Sequence, residues 1–191
     1  MSRIDTSKEF IPVRIAVMTV SDTRTVEDDR SGETLVGRIE AAGHVLADRT
    51  IVKDEREVIA AKLRDWCANP EIDVIVPIYD SMSQFVVPAL RLTGNLGSVK
   101  VATFNGTPFV LDYIQEGSVS MDIGESLDWI AYATVDANMR DLCGLPVPEK
   151  LNVPFYIFDE SNAEMAGTPA QFDTGYGDAY VSGFRELWGL N

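Results

Sequence analysis

Polar side chains follow each of the first five strands that the sequence predicts. Because the carboxyl ends of parallel strands meet at one edge of a sheet, these side chains would line a cleft where the strand order reverses. The alternative is that acidic loop ends are ordinary caps and solvated turns, and we favour it for Asp22, Asp28 and Asp29. The residues at the strand ends are Ser21 and Asp22, Asp54, Asp80, Asn105 and Asp122.

The sequence offers little from which to build a catalytic site. His44 is the only histidine, and no carboxylate has an evident nucleophile or base beside it. Cys67 and Cys143 fall on different predicted helices, which favours two buried thiols over a disulfide or a metal pair. We therefore predict that the protein is not an enzyme, that it binds no cofactor and that it has no catalytic residue.

A divalent-cation site is a weaker alternative for the same edge of the sheet. The carboxylates of Asp22, Asp54 and Asp80 are the kind of ligand that Mg²⁺ and Ca²⁺ take. No lysine stands at the end of the fifth strand, where a phosphoryl-transfer site of this kind would want one. We therefore predict no metal.

The composition is that of a globular protein with an acidic surface. Its 191 residues include 30 acidic and 16 basic side chains, for a formal net charge of −14. Such a surface repels phosphates and anionic bilayers, and no stretch has the ~18 apolar residues of a membrane helix. The first ten residues lack the apolar core of a signal peptide. We predict a cytoplasmic protein with no nucleic-acid and no membrane partner.

Strands alternate with helices every ~25 residues up to residue 144, which is typical of βαβ units. A short strand within 73–81, buried on both faces, would leave Asp80 and Ser81 just past its carboxyl end. Ser31 is the predicted N-cap of the first helix, and Pro108 fits the first turn of the fourth. The pattern predicts an α/β fold with three layers and a five-stranded parallel sheet of flavodoxin-like order 2-1-3-4-5. The strands are predicted at 13–20, 44–52, within 73–81, at 99–104 and at 119–121.

After Gly144 the pattern changes. Pro154 places an extended segment at 153–158 on a sheet edge, because proline cannot donate to a central ladder. A final helix is predicted at 176–190, where an aromatic residue recurs every fourth position and indicates a docked apolar face. The polar residues 1–12 are predicted to be a mobile lead-in, and the length predicts a single domain over residues 1–191.

Three motifs surround the first two strands: VSDTR at 20–24, DRSGETL at 29–35 and IVKDE at 51–55. On these motifs, residues 1–75 resemble the molybdenum cofactor biosynthesis proteins of the MoaB and MogA type. The resemblance implies molybdopterin-pocket loops, and Asp54 matches an aspartate implicated in adenylyl transfer. The Thr-Gly-Gly-Thr-Gly loop that the family carries after strand three is absent, so the loops are predicted to be vestigial. Their residues are Ser21, Asp22, Ser31, Gly32 and Asp54.

A second set of motifs occupies the rest of the chain: YDSM at 79–82, VATFNGTP at 101–108, IQEG at 114–117, DIGE at 122–125 and GYGDAY at 175–180. On these, residues 76–191 resemble the C-terminal lobe of a type I periplasmic sugar-binding protein of ABC transporters. The resemblance implies strand-end residues that hydrogen-bond sugar hydroxyls, and it implies that the lobe forming the other half of the cleft is missing. The matching positions are Asp80, Ser81, Asn105, Asp122 and Glu125.

The two resemblances together predict a chimera, engineered or recombined, that carries a vestigial sugar or polyol half-site without catalysis. Its fragments would be 1–75 (βαβα), 76–144 (βαβαβα) and 145–191 (a hinge-like strand and a C-terminal helix). A functional sugar-binding module and a molybdopterin-binding protein are the alternatives. The aromatic residues of 145–191 would either pack on the sheet edge or helices, or drive a homodimer.

Overall fold

A mostly parallel sheet forms the middle layer of a three-layer α/β fold. The computed structural model describes residues 9–77 and 79–190, and within them the chain forms six strands and six α-helices. The strand order is β2-β1-β3-β4-β5-β6, so the predicted order of the first five strands is confirmed and a sixth is added. The strands are β1 (Arg14–Val20), β2 (Val45–Val52), β3 (Val74–Ile75), β4 (Lys100–Asn105), β5 (Met121–Glu125) and β6 (Phe155–Asp159). The helices are α1 (Arg30–Ala41), α2 (Arg56–Ala68), α3 (Ser83–Leu92), α4 (Pro108–Gln115), α5 (Leu127–Leu142) and α6 (Ala179–Leu187).

Internal contacts group the described residues into two units. The first unit comprises residues 9–77 and 82–102, and the second comprises residues 79–81 and 103–190. The single domain expected from the length stays a prediction. Most of the predicted lead-in, residues 1–8, lies outside the described residues.

The third strand is much shorter than predicted. It ends at Ile75, Val76 is exposed, and Pro77 follows. Proline has no N–H to donate to a neighbouring strand. The apolar sequence therefore extends past Ile75, but the hydrogen bonds between the strands do not. The prediction of a strand buried on both faces was therefore wrong beyond Ile75.

The first helix is capped by Asp29 and not by Ser31. Its first residue is Arg30, and the Asp29 carboxylate accepts a hydrogen bond from the Gly32 N–H at 3.0 Å. The Thr19 hydroxyl donates to the other carboxylate oxygen at 2.7 Å, which fixes the cap against β1. Ser31 lies inside the first turn, so its prediction as the N-cap was wrong.

In the second unit, β5 begins where the predicted strand was expected to end. The structure places it at Met121–Glu125, so Asp122 lies inside the strand and not in a loop after it. The extended C-terminal segment pairs with β5 as the antiparallel edge strand β6, with Asp122 opposite Phe158. The additional edge segment is therefore confirmed.

The final helix docks on α5 through aromatic side chains. Tyr132 stacks on Trp188 with the rings 5.6 Å apart and 3° from parallel, and it also contacts Tyr180 and Phe184. The Trp188 indole N–H donates to Asp136 at 3.0 Å. The helix begins at Ala179, so Tyr176 lies before it and belongs to a different part of the second unit.

The two cysteines have different environments. Cys67 is buried on α2, and burial raises the pKa of its thiol. Cys143 is exposed at the C-terminal end of α5, so the prediction of two buried thiols was wrong there. Both are free, and no disulfide forms between them.

Candidate functional site

A fully buried carboxylate lies in the middle of β5. Asp122 is 0% exposed, and the Thr103 hydroxyl on β4 donates to its Oδ2 at 2.6 Å. Its Oδ1 makes no hydrogen bond of standard geometry among the described residues, but the backbone N–H of Gly106 lies close enough to the carboxylate to lower its pKa. Burial raises the pKa of Asp122 to about 6, against the opposing effect of the Thr103 hydrogen bond and with a further contribution from the Asp80 charge. Perturbed carboxylates of this kind are concentrated at functional sites.

Asp80 supports the loop that precedes α4. It begins a single-turn 3-10 helix, Asp80–Met82, and is 1% exposed. Its Oδ2 accepts a hydrogen bond from the backbone N–H of Thr107, the N-cap residue of α4, at 2.8 Å. Asp80 is therefore a buried neighbour of Asp122 with a structural partner, whereas Ser81 beside it is exposed.

The loop after β4 holds a strained backbone. Asn105 has φ of 121° and Gly106 has φ of 78°. A non-glycine residue with such a φ costs of order 1–3 kcal/mol, so it persists only where the surroundings impose it. Asn105 thus ends β4 in a conformation that turns the chain sharply toward Thr107.

A cavity of about 130 Å³ opens in the second unit beside this loop. Glu125, the last residue of β5, contributes a carboxylate to it, and Phe172 contributes an exposed ring. Of the five predicted sugar-contact residues, only Glu125 lines this cavity directly. The other residues that matter to its chemistry are Gly106, Thr107, Asp173 and Tyr176.

Asp173 is held at the cavity by the first turn of α5. The Ser126 hydroxyl donates to one carboxylate oxygen of Asp173 at 3.0 Å, and the Asp128 N–H approaches the other at 3.4 Å. Ser126 is the N-cap of α5 and accepts the Trp129 N–H at 3.0 Å. One serine therefore both caps the helix and fixes the orientation of Asp173.

The Tyr176 hydroxyl lies in acidic surroundings. The side chain is buried, and its hydroxyl has no hydrogen-bond partner among the described residues. Burial is the main reason that its pKa is raised well above the ordinary range, and four carboxylates add to the effect. The phenol is therefore neutral at all physiological pH values. The carboxylates are Asp122, Asp173, Glu125 and Asp80.

The cavity residues that the sequence argument missed include Phe172, Asp173 and Tyr176. They follow β5 by about fifty positions, in a turn-rich stretch whose local pattern carries no binding signal. The one available signal was the GYGDAY motif, which contains Tyr176.

In the first unit, a hydrogen bond from a backbone N–H to a side chain joins the loop after β1 to the loop after β2. Asp22 accepts the Asp54 N–H at 3.1 Å, and the Ser21 hydroxyl oxygen accepts the Arg24 N–H at 3.2 Å. Arg24 in turn donates to the Ser31 hydroxyl at 3.2 Å. These contacts bring together the predicted vestigial residues Ser21 and Ser31, and separately Asp22 and Asp54.

A wider cavity, of about 520 Å³, lies beside the Asp29 cap. Arg49 lines it and donates to Glu33 at 2.6 Å, with the Asp29 carboxylate 3.6 Å away. The hydrogen bond from Thr19 is the main cause of the lowered pKa of Asp29. A Cβ on Gly32 would overlap the Asp29 carboxylate, so the glycine makes room for the helix cap.

Neither a metal cluster nor a membrane helix is found in the described part of the chain. No group of three or more His, Cys, Asp and Glu side chains there is arranged to hold a metal ion. None of the helices in residues 9–77 and 79–190 is long and apolar enough to cross a bilayer.

Part of the chain is similar in sequence to a molybdenum cofactor biosynthesis protein. Molybdenum cofactor biosynthesis protein B of Escherichia coli K12 is 43% identical over 76 residues, which is 40% of this chain and 44% of that protein. The chain thus spans less than half of the relative that it matches. No protein-family model matches the chain.

The fold is similar to that of periplasmic sugar-binding proteins. An ABC transporter solute-binding protein from Bacillus halodurans C-125 with bound myo-inositol has a TM-score of 0.58 and 21% identity, over 83% of this chain and 55% of that one. A periplasmic ribose ABC transporter protein from Conexibacter woesei has a TM-score of 0.64 and 12% identity, over 92% and 57% of the two chains. At these identities the likeness is one of fold.

These likenesses confirm both resemblances that the sequence predicts. The sequence similarity is to the MoaB proteins over part of the chain, and the structural similarity is to the sugar-binding proteins over most of it. Together they support a mixed origin for the chain.

Proposed function

We propose that this protein is a non-catalytic chimera, engineered or recombined, that keeps a sugar or polyol half-site in its second unit. One observation carries the proposal: the cavity presents the carboxylates of Glu125 and Asp173 beside the exposed ring of Phe172. Carboxylates accept hydrogen bonds from hydroxyl groups, and an aromatic ring covers the apolar face of a polyol. The myo-inositol bound by the structurally similar Bacillus halodurans protein is a ligand of this chemistry.

The size of the cavity supports a half-site. Its volume of about 130 Å³ is below the roughly 300–1,000 Å³ of pockets that bury most of a small ligand. A polyol held there would keep much of its surface in water. We therefore expect dissociation constants on the order of millimolar, where the binding free energy is about −4 kcal/mol.

We propose that the half-site binds its ligand without catalysis. No histidine, cysteine, lysine or arginine lines this cavity in the described part of the chain. Asp122 has a pKa that would suit a general acid or base, but it is fully buried and is not among the lining residues. A proton carrier must come within hydrogen-bond reach of its substrate.

Molybdopterin chemistry does not fit the residues of the first unit. A pterin phosphate needs backbone N–H groups brought close by glycine, and the segment after β3 carries Val76 and Pro77 instead. The space beside Gly32 is taken by the carboxylate of Asp29. We therefore propose no adenylyl transfer.

Titration calorimetry with sorbitol, myo-inositol and D-ribose tests the half-site. We expect at least one of them to bind at millimolar concentration, and Phe172→Ala to weaken it several-fold through loss of the ring contact. Phe85→Ala is the matched control, because Phe85 and Phe172 are both 64% exposed and Phe85 lies on α3, outside the cavity. Absence of binding by all three polyols would refute the half-site.

We also propose a homodimer through the C-terminal segment. β6 is the last strand of the sheet, and Phe155 on it is 71% exposed. An edge strand with an exposed aromatic side chain is a ready surface for pairing with a second copy. Sedimentation velocity should give a dimer that Phe155→Lys converts to a monomer, and a wild-type protein that sediments as a monomer at all concentrations would contradict the proposal.

A further inference from the structure

Among the described residues, acidic side chains line the cavity of the second unit and no basic side chain does. Four carboxylates act on the Tyr176 hydroxyl, and two of them, Glu125 and Asp173, line the cavity itself. Such a site attracts cations and repels anions, and low-dielectric walls strengthen both effects. The charge of the site therefore bears on which polyols can enter it.

The basic side chains of the second unit do not neutralise this charge. Residues 103–190 contain only three basic side chains, Arg140, Lys150 and Arg185, against fourteen acidic ones. Arg140 is paired with Asp136 at 2.7 Å, and Arg185 donates to the Leu190 carbonyl at 2.9 Å. None of the three lines the cavity.

A second observation, independent of the charge, concerns Tyr176. Its side chain lines the cavity and is 3% exposed, and its hydroxyl has no hydrogen-bond partner among the described residues. Buried polar atoms are nearly always hydrogen-bonded, so this hydroxyl points to a ligand that supplies its partner.

We propose that the half-site selects polyols that carry a primary ammonium group, such as amino sugars and amino alcohols, over neutral or anionic polyols. An ammonium has three donors and no acceptor, which matches a lining of carboxylates and a phenolic oxygen. The polyol hydroxyls would use the contacts already assigned to the half-site. This inference rests on the proposed sugar or polyol function and adds the charge of the ligand.

Three probes with one carbon skeleton separate charge from shape. Sorbitol, its 1-amino-1-deoxy derivative glucamine, and gluconate are neutral, cationic and anionic at pH 7, and they differ at a single carbon. We expect titration calorimetry at constant ionic strength to give glucamine binding about tenfold tighter than sorbitol, which is the effect of one charge-assisted hydrogen bond. Gluconate should bind more weakly than sorbitol.

Two variants locate the preference. Glu125→Gln and Asp173→Asn each remove one charge from the cavity and should lower glucamine affinity several-fold more than sorbitol affinity, because an amide oxygen still accepts a hydrogen bond from a hydroxyl group. Asparagine also suits the φ of 52° at position 173. Glu149→Gln removes the same charge from an exposed loop position and should leave the preference intact.

The outcomes distinguish this inference from the proposed function. Equal binding of sorbitol and glucamine, or tighter binding of gluconate, overturns the ammonium preference and leaves the half-site standing. If all three variants reduce the preference for glucamine equally, the overall charge of the protein causes that preference. This outcome also overturns the proposed ammonium selectivity of the half-site. Failure of all three probes to bind refutes the half-site, and the inference fails with it.

Discussion

The hydroxyl oxygen of Tyr176 occupies the space that a Cβ on Gly106 would need. Phe158 and the same hydroxyl crowd the corresponding position on Gly124, in the neighbouring strand β5. Tyr176 is thus inserted between two glycines, one after β4 and one within β5. The insertion explains how Tyr176, about fifty residues after β5, becomes part of the cavity wall near Asp122.

Alanine at position 106 should be much more destabilising than alanine at a comparable glycine. Gly106 and Gly177 have nearly the same φ, 78° and 79°, but only Gly106 has a neighbour in the way of a Cβ. Left-handed strain alone costs about 1–2 kcal/mol, which is the expected loss for Gly177→Ala in urea denaturation. Gly106→Ala should lose about 2 kcal/mol more through overlap with Tyr176.

The double variant Gly106→Ala with Tyr176→Phe checks the cause of that loss. Deleting the hydroxyl removes the atom that meets the new Cβ, so part of the lost stability should return. If the two substitutions add without coupling, the overlap is not the source of the cost.

Tyr176→Phe by itself should leave the protein as stable as before or more stable. The hydroxyl is buried without a partner, and removing an unsatisfied polar group recovers up to about 1–3 kcal/mol. The same variant should bind glucamine less tightly, because the phenolic oxygen is one of the acceptors. A loss of stability in urea denaturation would mean that the hydroxyl has a partner in solution.

Asp122→Asn should change how stability depends on pH. The pKa of Asp122 is raised to about 6 in the folded protein, above its ordinary 3.8, so between these values the folded state binds more protons than the unfolded state. Stability from this group is therefore present at acidic pH and is lost as the pH rises from about 4 to 6. At neutral pH the loss is up to about 3 kcal/mol, which the asparagine variant should recover.

Urea denaturation of both proteins from pH 4 to 7 measures the effect as a difference. The subtraction is needed because Asp29, Asp48 and Asp73 have lowered pKa values and oppose the trend. Asparagine keeps a carbonyl oxygen for the Thr103 hydroxyl. A difference that does not grow with pH would show that Asp122 titrates normally.

The alternation of strands and helices could be predicted because β-branched runs and turn residues mark each βαβ unit locally. The strand ends could not. Val76 to Tyr79 continues the apolar pattern of β3, yet Pro77 lacks the N–H that the ladder requires, so the strand ends at Ile75. In β5 the reverse holds, because the charged Asp122 looks like a loop residue but is buried within the strand.

The cavity was harder to predict than the sheet because half of it comes from outside the sheet. Glu125 was predicted only from the DIGE motif at 122–125 and the family resemblance that this motif carries. Asp173 and Tyr176 reach the cavity only because β6 pairs with β5 and returns the chain to it. No local pattern announces a contact between residues fifty positions apart.

Trp188→Phe should weaken the attachment of α6 to α5. Phenylalanine keeps a ring against Tyr132 but removes the indole N–H that donates to the buried Asp136 at 3.0 Å. Although burial opposes it, hydrogen bonds from Arg140 and Trp188 lower the pKa of Asp136. Loss of one donor to a carboxylate costs about 1.5–3 kcal/mol.

The pH dependence and a second tryptophan separate this effect from lost ring area. A carboxylate with a lowered pKa in the folded protein stabilises the fold at every pH above its pKa in the unfolded chain. The loss of stability caused by Trp188→Phe should therefore be complete at pH 7 and should shrink as Asp136 is protonated below about pH 4. Trp129→Phe replaces another indole between the same helices with a smaller ring, and it leaves the hydrogen bond from Trp188 to Asp136 in place. Its deficit should not depend on pH, and a Trp188→Phe deficit that is likewise independent of pH would assign the loss to packing alone.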